Sequence, residues 1–236
     1  GIAAESHAIN RKIAWGTKNM TKGPAMTRQE AEKAIEVGIS MVEELKEKGY
    51  TIIATGEMGI GNTTTSSAVT AVLLGQDPAR VTGRGAGLSS AGLDRKVDAI
   101  RRAIALNQPD PEDPVDVLAK VGGLDLAGLV GAFIGGAAMR IPVVADGFIS
   151  CAAALCALRI CPQVKDYLIT SHRSKEPGAA MVLETLDVPA FLDCDMCLGE
   201  GTGAVAIYPL LDMAMTIYGG MTTFAENNMD NYVPLT

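Results

Sequence analysis

Three acidic residues stand beside glycine where an apolar run gives way to a helical pattern, and that is how a general acid or base is commonly presented. The first in the chain is Glu57, in Gly56-Glu57-Met58-Gly59-Ile60-Gly61-Asn62. The second is Asp146, in Asp146-Gly147-Phe148, and the third is Glu200, in Leu198-Gly199-Glu200-Gly201-Thr202-Gly203-Ala204. Glycine on either side lets the backbone approach a ligand and turn with positive φ, which leaves the carboxylate at a turn and not on a packed face. A plainer alternative for Glu200 is that it caps the helix that follows, whose first-turn amides favour an anion. A carboxylate that a ligand covers loses water, its pKa rises and it becomes a stronger base, suited to removing a proton from a ring nitrogen.

Other residues read as anion contacts. Thr63, Thr64, Thr65, Ser66 and Ser67 follow the first glycine loop and offer hydroxyls and helix N-terminal amides. No Gly-Lys-Ser/Thr ending is present, which argues against a nucleoside-triphosphate P-loop. Thr82-Gly83-Arg84-Gly85-Ala86-Gly87 does not follow the strand that a dinucleotide fingerprint needs, but Arg84, with Lys96 further on, offers positive charge for a phosphate. Ser171-His172-Arg173-Ser174-Lys175 is a further anion-binding candidate, and His172 itself reads as a hydrogen-bonded structural residue.

These residues need a scaffold, and the chain of 236 residues is long enough for one large domain with a small appendage. Hydrophobic residues make up 48% and aromatics 4%, so the core is built from aliphatic side chains. A formal net charge of -7 argues against a nucleic-acid surface, which needs clustered Lys and Arg. No apolar run is long enough to span a membrane, and no signal-peptide pattern is visible. The five cysteines, Cys151, Cys156, Cys161, Cys194 and Cys197, lie in apolar surroundings and read as reduced core residues of a cytoplasmic protein. Cys194 and Cys197 make a Cys-x-x-Cys without a second pair, and no residue pattern calls for a metal.

Thr27 and Glu30 form a capping box ahead of a helix that Gly49 ends. Short β-branched or apolar runs begin at 50, 141, 167 and 191, each followed by a glycine or polar loop and a helical pattern. Helices are expected over 115–121, 124–139 and 149–160, the last buried, with Gly128, Gly131, Gly135 and Gly136 suited to close helix packing. A long apolar helix is expected from about 204 to 218. The implied fold class is α/β, a mainly parallel, Rossmann-like three-layer sheet with helices on both faces, plus part of a small helical domain. Residues 1–26 read as an arm or connection to that small domain, 27–210 as the large nucleotide-binding domain, and 211–236 as a helix end and tail contributing to the small domain. Loops at the carboxyl ends of parallel strands share one edge, so Glu57, Asp146, Ser174 and Glu200 are expected to face one crevice.

Five ordered motifs, Gly56 to Thr64, Gly83 to Gly87, Asp146 to Phe148, Ser171 to Ser174 and Leu198 to Ala204, together resemble the nicotinate-nucleotide:dimethylbenzimidazole phosphoribosyltransferase (CobT) family of cobalamin biosynthesis. The resemblance runs from about Arg11 to the C-terminus, and relatives are longer at the N-terminus. It implies transfer of the phosphoribosyl group of nicotinate mononucleotide to 5,6-dimethylbenzimidazole, without a cofactor. Glu200 matches the family's general base, and Glu57 matches a second acid able to act as a weaker base. Gly59, Asn62, Thr63, Arg84, Gly85, Lys96, Asp146, Gly147, Ser174, Leu198 and Gly199 fall at or beside positions that hold substrate, with Lys96 on the phosphate. Cys197 stands where some relatives carry Arg, so the work of that cation falls to Arg84, Lys96 or Arg173. The resemblance also implies a homodimer. Transfer to another lower-ligand base, or a non-catalytic nucleotide-binding subunit, stands as the alternative.

Overall fold

The computed structural model describes residues 8–230. In chain order its elements are α1 (Arg28–Glu47), β1 (Ile53–Ala54), α2 (Asn62–Leu74), α3 (Pro78–Val81), α4 (Ser90–Asn107), α5 (Pro114–Val121), α6 (Leu124–Met139), β2 (Val143–Ala145), α7 (Phe148–Ile160), β3 (Leu168–Thr170), α8 (Gly178–Leu186), α9 (Thr202–Ala206) and α10 (Tyr208–Gly220). A 3-10 turn, Pro162–Tyr167, leads into β3.

The three strands are parallel in the order β1-β2-β3, with Ile53 opposite Val143 and Val143 opposite Leu168. The expected α/β, three-layer class holds, in a helix-rich form with a small sheet. Alternation along β2 separates the layers, because successive side chains point to opposite faces. Val143 and Ala145 join the main core with α1, α2 and α4 to α8. Val144 joins a small cluster with Ala204 and Ile207, flanked by Ile52, Ala54, Ile169, Tyr208 and Leu211. The thick helical layer therefore lies on one face, and α9 with the start of α10 covers the other.

Helix α1 begins as its sequence demands. The Thr27 hydroxyl accepts from the Glu30 N–H at 3.2 Å, and the Glu30 carboxylate accepts from the Thr27 N–H at 2.8 Å. It buries Ala31, Ala34, Ile35, Gly38 and Val42 against the glycine face of α6. A Cβ at Gly131 would sit 1.9 Å from the Ile35 carbonyl oxygen, and one at Gly38 2.0 Å from that of Gly128. The glycines of α6 thus serve backbone-to-backbone packing, as the sequence implied. Helix α7 is buried along most of its length, also as expected.

Three expectations need correction. The run at 191–193 contributes one parallel bridge, His172 to Leu192, and no fourth strand among the described residues, with Phe191 exposed. The long helix after 204 is two helices, because Pro209 in the first turn of α10 lacks the N–H that a continuous helix would use. No residue of α10 is buried. Cys151 and Cys156 are buried, but Cys194 and Cys197 are exposed, so that pair is not in the core. At the other end, residues 18–26 are stitched to the body: Ala25 and Met26 donate to the Lys120 and Ala119 carbonyls, and Met20, Ala25 and Met26 are buried. Among the described residues, no helix is long and apolar enough to cross a membrane.

Candidate active site

The loops after β1, β2 and β3 and the segment before α9 meet at one sheet edge, as parallel topology requires. The junction is organised by Asp146, at the end of β2 and only 1% exposed. One of its carboxylate oxygens accepts from the Gly203 N–H at 2.7 Å and the Ala204 N–H at 3.1 Å, and the other from the Gly201 N–H at 3.0 Å. These are otherwise unsatisfied amides at the start of α9, and a buried carboxylate there satisfies them and suits the helix dipole. Asp146 is therefore a clamp that holds the Glu200 loop to the sheet.

His172 and Ser171 back this clamp. The Ser171 hydroxyl donates to the Asp146 carbonyl oxygen at 2.8 Å and lies 3.0 Å from His172 Nδ1. His172 Nδ1 is 3.9 Å from Asp146 Oδ1. Burial pushes the imidazole pKa down, with the Asp146 charge opposing it. A Cβ at Gly203 would fall 2.0 Å from His172 Nδ1, so only glycine lets α9 start here. His172 is a packed structural residue that also reaches the cavity wall.

Glu200 is presented quite differently. It is exposed, and its φ of 59° lies in the left-handed region between Gly199 at 79° and Gly201 at 83°. A non-glycine residue there is strained by about 1–2 kcal/mol. Glu57 faces the same space from the β1 loop and accepts from the backbone N–H of Glu200. Asn62 donates to the Glu57 carboxylate, and to Asp125 at 3.1 Å. Burial holds the Glu57 carboxyl above its ordinary value, helped by the charges of Asp125 and Asp146 and opposed by the Asn62 hydrogen bond.

A cavity of about 470 Å³ opens between these loops. Of the residues singled out from the sequence, Glu57, Gly59, Asn62, Thr63, Gly85, Asp146, Gly147, Ser174, Leu198, Gly199 and Glu200 line it. Arg84 and Lys96 do not. The Arg84 guanidinium is spent on its own loop, donating to the Leu88 carbonyl at 2.6 Å and the Ser90 hydroxyl at 3.1 Å. Lys96 is 7% exposed, behind the wall, and donates to Thr63 Oγ1 at 2.9 Å and to the Gly83 carbonyl at 3.0 Å. Burial lowers its pKa, and the charge of Glu176 raises it.

Sequence reasoning gave no site role to several lining residues. Met58, Ile60 and Cys197 stand exposed on the wall with Leu198, giving an apolar rim above an acidic floor. Apolar side chains inside a glycine loop were the available signal, since nothing in such a loop packs a core. Glu176 also lines the cavity, and its Oε1 accepts from the Gly85 N–H at 3.0 Å. Its place in Glu176-Pro177-Gly178, another acid beside a turn, was the clue. Among the described residues, no group of three or more His, Cys, Asp or Glu side chains is arranged to hold a metal ion.

A family model described as Phosphoribosyltransferase (DBI_PRT) matches residues 1–229. The nicotinate-nucleotide–dimethylbenzimidazole phosphoribosyltransferase of Ruminiclostridium cellulolyticum is 53% identical over 227 residues, which are 96% of this chain and 64% of that protein. The chain belongs to the nicotinate-nucleotide:dimethylbenzimidazole phosphoribosyltransferase family. The enzyme of the same name from Acetivibrio thermocellus is likewise 53% identical, over 96% of this chain and 64% of its own length. The crystal structure of CobT from Thermus thermophilus superposes with a TM-score of 0.89 at 43% identity, over 95% of this chain and 67% of that one. The chain thus spans somewhat under two thirds of the length of the first two relatives, 64% of each.

Proposed function

We propose that the protein transfers the phosphoribosyl group of nicotinate mononucleotide to 5,6-dimethylbenzimidazole. In this reading the benzimidazole lies under the apolar rim of Met58, Ile60 and Leu198. Glu200 removes the proton from one ring nitrogen. The other nitrogen attacks the anomeric carbon of the mononucleotide, nicotinate departs with the electrons of the broken C–N bond, and inversion gives α-ribazole 5'-phosphate. The proton stays on Glu200 until solvent takes it.

The observation that carries this reading is the contrast in free valences. Asp146 has its oxygens committed to three backbone amides. Glu200 stands at the cavity with no hydrogen bond to its own carboxylate among the described residues. Its exposed carboxylate is open to solvent, and a planar base seated against the rim would strip water from it and strengthen it as a base. Glu57, half-buried beside it, is the reserve base. The phosphate end falls to Gly59, Gly85, Gly147 and Ser174 on the cavity wall. Lys96 acts on it from behind Thr63.

The five free cysteines, two of them exposed, support a reducing cytoplasm. The exposed apolar side chains of α10, among them Met213, Met215, Ile217 and Tyr218, support a homodimer contact there. The test is direct: the protein is mixed with nicotinate mononucleotide and dimethylbenzimidazole, and nicotinate and α-ribazole 5'-phosphate are followed. The two products are expected in equal amounts. Their absence removes the proposal.

A further inference from the structure

The cavity is lined by the acids Glu57, Asp146, Glu176 and Glu200 and, among the described residues, by no lysine or arginine. Lys96 lies behind Thr63, and Arg84 is spent on Leu88 and Ser90. One lining side chain can gain positive charge, and it is His172. The ring is buried, and the hydrogen bonds around it fix where its proton sits. The Ser171 hydroxyl has a single hydrogen and donates it to the Asp146 carbonyl, which can only accept. At the contact with His172 Nδ1 the hydroxyl oxygen must therefore accept, so Nδ1 carries the ring hydrogen. The Asp146 carboxylate, 3.9 Å from Nδ1, favours the same tautomer. Nε2 is left with a bare lone pair. It has no hydrogen-bond partner among the described residues and lies against Gly147, where a Cβ would stand 3.4 Å from it and 3.8 Å from the Ser174 Cβ.

A phosphate monoester is largely a dianion above about pH 6, and a dianion is repelled by a lone pair. One proton between them turns that repulsion into a charge-assisted hydrogen bond. From this geometry we infer that His172 is the cation of the phosphate subsite, neutral in the free protein and taking one proton from solvent at Nε2 as the mononucleotide's phosphate seats against Gly147 and Ser174. Burial keeps the free imidazole neutral, while the charge of Asp146 opposes that effect and stabilises the imidazolium once the phosphate is in place. Glu57, Glu176 and Glu200, across the same cavity, act in the same sense as Asp146. Arg173 and Asp193, on the bridged segments beside the ring, are paired with each other. The proton is added at the ligand-facing nitrogen, so the Nδ1 contact with Ser171 is kept. The inference rests on the phosphate-subsite part of the proposed function.

Calorimetric titration of nicotinate mononucleotide at about pH 8, repeated in two buffers of different ionisation enthalpy, counts the protons taken up on binding. About one per mononucleotide is expected for the wild type and about none for His172→Asn, whose amide can still donate to Ser171 but lacks Nε2. Equal uptake by the two proteins overturns the inference, because a carboxylate would then be the group that titrates. Binding without uptake overturns it as well. The nitrogen resonances of isotope-labelled imidazoles read the wild type directly, whether or not the Asn variant folds. The chain has two histidines, so His7→Gln assigns them. On adding the mononucleotide, the His172 ring is expected to pass from one protonated nitrogen to two, and to stay neutral with nicotinate riboside, which lacks the phosphate. A ring that stays neutral with the mononucleotide, or that is protonated equally by the riboside, overturns the inference. Uptake at His172 without α-ribazole 5'-phosphate ends the transferase reading alone, turnover without uptake ends the role of His172 alone, and a mononucleotide that does not bind ends both.

Discussion

Asp146 and Glu200 share a local pattern, an acid beside glycine at the end of an apolar run, yet their surroundings are opposite. Asp146 is enclosed, and its oxygens are taken by the amides of residues 201, 203 and 204. Glu200 is exposed at the cavity and held in a left-handed turn by the loop that Asp146 fixes. One carboxylate is spent on making the other available. Burial and hydrogen-bond saturation mark Asp146 as a structural acid; exposure and backbone strain set apart Glu200, the base we propose. Strain at a residue of this kind persists because surrounding contacts enforce it.

Substitutions at the two positions should therefore separate. The largest effect is expected from Asp146→Ala, which leaves three amides at the start of α9 unsatisfied and frees the Glu200 loop from β2. A loss of about 3 kcal/mol in chemical denaturation is expected, together with loss of turnover. An unchanged denaturation midpoint would break the distinction between the two acids. Glu200→Gly is expected to act with the opposite sign on stability, raising it by about 1 kcal/mol, because glycine adopts the left-handed conformation without the Cβ clash. A marked loss of stability would mean that the Glu200 side chain is part of the scaffold.

The smallest effect belongs to Glu57, which stands between the two cases, half-buried and partly satisfied. Burial holds its carboxyl above the ordinary value of 4.5. In the pH window just above that value the folded state binds more protons than the unfolded chain, so stability falls as pH rises through it. Glu57→Gln removes this fall, modestly because water screens a half-exposed group. Denaturation midpoints of the two proteins, compared from about pH 4.5 upward, should diverge most at the upper end of the window. Parallel curves would show that folding does not raise the Glu57 carboxyl.

Much of this was legible in the linear pattern. Strand, acid and glycine recurred, and parallel topology brings such loops to one edge, which is why Glu57, Asp146, Ser174 and Glu200 meet. What the pattern does not encode is direction and saturation. Arg84 and Lys96 were both read as phosphate contacts, but whether a side chain reaches a cavity or its own loop depends on tertiary approach. Arg84 turned to Leu88 and Ser90, and Lys96 settled behind Thr63. Cys194 and Cys197 read as core residues for want of a second pair and a redox context, yet both are exposed in an irregular segment, with Cys197 at the cavity rim. The break between α9 and α10 was visible in Pro209 and was passed over in favour of apolar content.

The central claim is that the proton leaves the acceptor base on Glu200. It is tested most directly by measuring Glu200→Gly for turnover with saturating nicotinate mononucleotide and dimethylbenzimidazole, alongside its affinity for the mononucleotide alone. A fall in turnover of about 10²–10⁴-fold with mononucleotide binding retained is the expected result. Turnover equal to that of the wild type would contradict it.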